Sequence, residues 1–250
     1  MRTIYSTILL LLISTISYGQ TAESIMKKYT KKSGGQKNWD QVSSFKVKGV
    51  AKLISQGGME LPFDRYMTKD GKQFTTLKVS GMDYISTAYD GKTVWGSNQQ
   101  MQPEEKDPDI AKNTILQKYD FPYRGHNWKE NGYKVEYEGK VTLEGKEGYK
   151  IKLIKRPQWA NGKEIENIVY IYFDTKTYLP FYQETKVYSG PNKGKMMKSY
   201  MTNYKTVDGL MYPFTVTMKY DDDVSQILEA KEVTWNAKID NTIFSMPKKD

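Results

Sequence analysis

The 250-residue sequence predicts a mainly β protein with few helices, built as one antiparallel meander of about ten or eleven strands into which two helices are set. Three observations predict it. Apolar and polar residues alternate with period two in run after run, as in Tyr133, Val135 and Tyr137 against Lys134, Glu136 and Glu138. Turn-forming pairs separate the runs: Asp70-Gly71, Asp90-Gly91, Gly139-Lys140, Gly145-Lys146, Asn161-Gly162, Asp174-Thr175 and Asp208-Gly209. No shift in composition marks a second domain, so residues 21–250 read as a single domain.

The first twenty residues read as an address. Met1-Arg2-Thr3 carries a positive charge, Ile8 to Ile13 is an unbroken apolar run, and Ser17-Tyr18-Gly19 places small residues at −3 and −1 of a cut near Gly19 or Gln20. That is the grammar of a secretory signal peptide, and the run is too short for the ~20 apolar residues of a spanning helix. A periplasmic, water-soluble protein is expected, which makes nucleic acid an improbable partner. The chain has no cysteine, hence none to carry a lipid anchor behind the cut.

Thr21 can cap a helix in which Ala22, Ile25, Met26 and Tyr29 recur at i, i+3, i+4 and i+7, and Gly34-Gly35 stops it. From Phe45 the period changes. Phe45, Val47, Gly49, Ala51 and Leu53 alternate with Lys46, Lys48, Val50 and Lys52, a strand with one wet face. Mid-chain, Asp107-Pro108 supplies an N-cap and a proline at the first helical position, and Glu104, Glu105 and Asp109 place negative charge at that end. Ile110, Ala111, Thr114 and Ile115 form a moderate stripe before Phe121-Pro122. This helix is expected either to pack on the sheet or to act as a lid over a cavity. The later strands include Tyr149, Ile151 and Leu153 against Lys150 and Lys152, and Tyr212, Phe214, Val216 and Met218 against Pro213, Thr215 and Thr217.

In order and spacing, several of these pieces resemble the outer-membrane lipoprotein-sorting (LolA-like) proteins of the LolA/LolB superfamily, Bacteroidetes type. They are the N-terminal helix closed by Gly34-Gly35, the Tyr89–Trp95 segment, the Gly145–Leu153 hairpin, Tyr172-Phe173-Asp174-Thr175-Lys176-Thr177-Tyr178-Leu179, Val207–Pro213 and Ile239–Phe244. The resemblance spans nearly the whole chain after the leader. It implies a half-open β-barrel, a curved antiparallel sheet with helices on the concave side, whose apolar interior receives acyl chains. It also implies transfer of lipids or lipoproteins toward the outer membrane, with inner- and outer-membrane envelope proteins as partners. The arginine that LolA uses in closing its lid has no evident counterpart, so no functional residue is carried over.

The residue inventory argues against catalysis and cofactors. Without cysteine there is no thiol nucleophile and no Cys-based metal site, and one histidine cannot form a His cluster. His126, in Arg124-Gly125-His126-Asn127-Trp128, lacks any nucleophile-elbow context. Asp221-Asp222-Asp223 lacks the glycine and later glutamate of a calcium loop and reads as a solvated hairpin tip. The acidic group Glu104, Glu105, Asp107 and Asp109 is explained by the helix dipole, and no glycine-rich phosphate loop occurs. Neither a cofactor nor a metal is expected, and the protein reads as a non-enzyme.

Binding fits better. Lys and Arg total 38 against 29 Asp and Glu, the mean hydropathy is −0.71 and the isoelectric point about 9.2, which favours an anionic membrane surface. Most lysines alternate along strands as a solvated face. Residues Ile165 to Phe173 are apolar on both faces, more than a singly covered sheet requires. The expected lining of a lipid cavity is Val47, Trp95, Tyr137, Ile151, Leu153, Val169, Ile171, Phe173, Phe214 and Val216. The alternative is a non-enzymatic envelope interaction or scaffold module with a packed interior. A transmembrane β-barrel is disfavoured by the internal helices and lysine-rich faces.

Overall fold

The structure, a computed structural model, describes residues 20–123 and 125–248. Apart from Gln20, the predicted leader lies outside them. Helix α1 (Ala22–Lys32) starts where the sequence places it, with the Thr21 hydroxyl accepting from the Ser24 amide and the Ser24 hydroxyl accepting from the Thr21 amide, both at 3.1 Å. Its buried face is Ala22, Ile25, Met26 and Tyr29, and Lys31 and Lys32 complement the C-terminal dipole. At Gly34, φ is 135° and a side chain would collide with Leu210 and the Gly209 carbonyl, so only glycine lets the chain turn this close to the sheet. A five-residue helix, α2 (Gln36–Asp40), follows and buries Trp39.

The first meander comprises β1 (Ser44–Leu53), β2 (Met59–Thr68), β3 (Gln73–Val79), β4 (Met82–Tyr89), β5 (Val94–Ser97) and β6 (Pro103–Glu105). Helix α3 (Pro108–Leu116) separates it from β7 (Lys134–Leu143), β8 (Lys146–Ile154), a small hairpin of β9 (Gln158–Ala160) and β10 (Lys163–Ile165), then β11 (Ile168–Asp174), β12 (Pro180–Lys186), β13 (Met196–Val207), β14 (Leu210–Tyr220) and β15 (Asp223–Trp235). Thirteen strands form one antiparallel sheet in the order β6-β5-β4-β3-β2-β1-β15-β14-β13-β12-β11-β8-β7. The last strand closes the gap between the two meanders by pairing with both β1 and β14, while β6 and β7 remain at opposite edges and leave the sheet open.

Several local expectations need correction. The sheet has more strands than the ten or eleven expected, because runs of three or four residues such as β5 and β6 are too short to show a period. Glu104 and Glu105 lie in β6, not at the helix start; Asp107 alone caps α3, its carboxylate accepting from the Asp109 amide at 2.9 Å. Gly139-Lys140 is no turn but the site of a bulge within β7, after which Val141 and Leu143 face the opposite side of the sheet. Two-residue turns with positive φ at both positions do occur at Glu144-Gly145, Asn161-Gly162 and Asp208-Gly209.

The helices share the inner face. Ile25, Met26 and Tyr29 pack on Ile151, Leu153, Val169, Ile171 and Phe173 of β8 and β11. A second inner cluster joins Trp39 to Phe45, Val47, Phe214 and Trp235. On the outer face, Tyr172, Phe181 and Tyr182 form a third cluster, with the Tyr172 and Tyr182 hydroxyls both donating to Glu184 at 2.8 Å. That cluster explains why β11 is apolar on both sides.

Candidate functional site

Between the inner face and the helices lies a cavity of about 1050 Å³, at the upper end of the ~300–1,000 Å³ typical of ligand sites. Strand alternation fixes its walls, since cross-strand partners project to the same side. Val169, Ile171, Phe173 and Leu179 form one flank, Met197, Met201 and Met218 on β13 and β14 another, and Arg65, Met67, Gln73, Thr75 and Thr87 on β2 to β4 a third. Tyr29 of α1, Trp39 of α2, Asn113 and Leu116 of α3 and Trp159 of the β9–β10 hairpin complete the lining.

Of the ten expected lining residues, the structure brings Val169, Ile171 and Phe173 to the cavity. Ile151 and Leu153 are on the same face but wholly covered within the α1 cluster, beside which Tyr137 is half-buried. Val47 and Phe214 belong to the packed cluster around Trp39, and Val216 sits on the inner face opposite Met201 without lining the cavity. Trp95 is on the outer face, in register with Ala88 and through it with Phe74; its indole N–H donates to the Phe244 carbonyl at 2.7 Å. The face of the four-residue β5 could not be read from alternation.

Sequence reasoning missed the methionines and Arg65. Met197 and Met201 recur at an even spacing on β13, and that alternation is the signal that would have found them. Nothing in sequence marks Arg65, which follows Asp64 and looks like another solvated charge.

Helix α3 closes one side of the cavity through polar contacts. The Asn113 side chain donates to the Trp159 carbonyl and accepts from the Trp159 amide, both at 2.8 Å, while the Gly162 amide donates to Asp109 at 2.8 Å. Lys112 Nζ stands 3.3 Å from the centre of the Trp159 ring. From the sheet, Gln73 donates to the Thr114 carbonyl at 3.1 Å. These bonds determine which side of α3 faces in: Thr114 is buried, whereas Ile110, expected on the buried stripe, is 48% exposed.

Several phenols of the lining are held protonated by burial. Burial pushes the phenols of Tyr29, Tyr204 and Tyr212 above their ordinary range; at Tyr212 the positive charge of Arg65 pulls the other way. Tyr123, pushed up to about 12 by burial, shares a 3.1 Å hydrogen bond with Thr30. Lys155 is paired with Asp120 at 2.5 Å. His126 lies outside the cavity lining, buried against Tyr123, with Nε2 3.1 Å from an Asp40 carboxylate oxygen and Nδ1 without a hydrogen-bond partner among the described residues. The aspartate run forms the β14–β15 tip, where Asp221 accepts from the Met196 amide and Asp222 pairs with Lys198. Among the described residues no acidic or histidine cluster could hold a metal, and no helix is long and apolar enough to cross a membrane.

Neither a protein-family model nor a curated protein matches the sequence. Solved structures do match the fold. A LolA superfamily protein from Nitrosomonas europaea aligns with TM-score 0.56 at 14% identity, over 91% of this chain and 98% of that one. The chain has a LolA-like fold. A DUF1329 family protein from Desulfovibrio piger gives TM-score 0.56 at 11% identity over 90% and 97% of the two chains. An outer-membrane lipoprotein-sorting protein domain from Vibrio parahaemolyticus gives 0.55 at 11% over 88% and 94%. In LolA-like terms the open sheet is the half-barrel and its helix-bearing face the concave one. At these identities the likeness concerns architecture, so the function rests on the cavity.

Proposed function

We propose that this protein is an exported, non-enzymatic carrier that holds the acyl chains of a lipid or lipoprotein during transfer toward the outer membrane. The observation that carries the reading is the cavity itself, with Val169, Ile171, Phe173 and the methionines of β13 and β14 on its walls. Burial of an acyl chain gains about 0.8 kcal/mol per methylene, so ten methylenes supply about 8 kcal/mol before the cost of immobilisation. No catalytic group is needed for that affinity. Flexible thioethers suit chains of varying length and kink. A scaffold with a filled interior would lack such a space, and the LolA-like architecture is consistent with carriage. Export is supported by the leader-like first twenty residues.

The experiment is native purification from a bacterial periplasm followed by mass spectrometry of the organic extract, against a periplasmic protein of similar size. A stoichiometric acylated species is expected. An extract that stays empty after incubation of the protein with lipids would overturn the carrier reading and favour the scaffold. N-terminal sequencing of the same material should begin at Gln20 or Thr21.

A further inference from the structure

The cavity is chemically lopsided. Register places Arg65 of β2 directly opposite Thr75 of β3, and Thr75 opposite Thr87 of β4, so a guanidinium and two hydroxyls stand in one row across three strands, all on the cavity wall. Arg65 is half-buried, its guanidinium carbon 5.8 Å from the centre of the Phe45 ring, and no carboxylate among the described residues pairs with it. The other cations of the lining differ: Lys155 is engaged with Asp120, and Lys186 is exposed. The nearby Tyr212 phenol, kept protonated by burial, offers a donor and no negative charge. Elsewhere in the lining Val169, Ile171 and Phe173 of β11 and the methionines of β13 and β14 supply hydrocarbon and thioether surface, with Gln183 and Thr185 of β12 between them.

An unpaired guanidinium in a partly desolvated wall is costly unless a ligand satisfies it. Its planar fork matches an oxyanion through two parallel hydrogen bonds, which a lysine cannot reproduce. We infer that the cavity selects amphiphiles with a single anionic headgroup, a carboxylate or a phosphate, held by Arg65 with Thr75 and Thr87 while the acyl chain extends toward β11 and β13. The inference rests on the carrier reading and specifies its cargo.

Trp39, Trp159 and Trp235 line the cavity, so tryptophan fluorescence of the delipidated protein reports occupancy. The probes are oleate against oleyl alcohol, and dioleoyl phosphatidate against dioleoylglycerol, with acetate and inorganic phosphate as headgroups alone. Anionic lipids should bind about tenfold or more tightly than their neutral counterparts. Arg65→Gln should lower the affinity for the anionic lipids about tenfold, so that charged and neutral counterparts bind alike, and Arg65→Lys should restore only part of the preference. The stronger of the oleate and phosphatidate responses identifies the headgroup. Should Arg65→Gln not fold, as read by circular dichroism, a folded Thr75→Val/Thr87→Val variant should show a reduced preference. Equal affinity for charged and neutral lipids in the unaltered protein would overturn the inference and leave the carrier reading standing. Failure of every lipid to bind would overturn both. Binding of acetate or phosphate as tight as that of the lipids would replace it with a small-anion site.

Discussion

His126 illustrates how one side chain becomes structural. Nε2 donates to Asp40, Nδ1 has no hydrogen-bond partner among the described residues, and burial holds the imidazole below its ordinary pKa although Asp40 pulls upward. A base with a folded pKa below its unfolded value, about 6.5, takes up its proton first in the unfolded chain. The stability it contributes is therefore complete above about pH 6.5 and is lost as pH falls from there through the folded pKa. Thermal melts between pH 7.5 and 5 should show a falling Tm, and His126→Gln, though less stable at neutral pH, should flatten that slope. An unchanged slope would mean that His126 is not the group responsible. Sequence could exclude a His cluster, but it could not show that this loop imidazole is buried, because its contact with Asp40 comes from a helix far back in the chain. Arg65 escaped notice for the same reason: its lack of a partner is a property of three strands, not of one.

Elements were legible in proportion to their length and to how local their signals are. For α1 the cap, the apolar period and the terminal glycines all agree, and all four predicted core positions are buried. The α2 helix has five residues and no room for a period. In α3 the start was readable from Asp107-Pro108, yet its inward side was not, since polar bonds to the β9–β10 hairpin and to Gln73 orient it in place of an apolar stripe. Asn113 is central to that attachment. Replacing it with Ala removes two hydrogen bonds to Trp159, each worth about 1 kcal/mol, from an element with few apolar contacts to hold it. Asn113→Ala should therefore speed amide hydrogen exchange in α3 and in β9–β10 by up to about thirtyfold while the sheet's protection stays as it was. Unchanged exchange at these sites would show that the bonds do not hold the helix in place.

For the whole molecule, the alternating runs and turn pairs made an antiparallel meander readable, but not its order, because β15 returns across nearly the full chain to pair with β1. Such nonlocal pairing leaves no trace in short-range pattern. It is also what brings the Arg65 flank, the methionine flank and the β11 flank around one space. If that space is where acyl chains bind, bulk added at its open wall should act differently from bulk added to the packed cluster beside it. Met201 is half-buried and lines the cavity, whereas Ile151 is fully buried beneath α1. Met201→Trp has free volume to enter, so its effect on stability should stay within about 1 kcal/mol, while Ile151→Trp must displace close-packed neighbours at a cost of about 1–3 kcal/mol. Denaturant melts separate the two. In mass spectrometry of the organic extract, Met201→Trp should carry markedly less acylated material per protein than the unaltered chain despite its intact fold. Full occupancy in a folded Met201→Trp protein would mean that the acyl chains bind elsewhere than between the sheet and its helices.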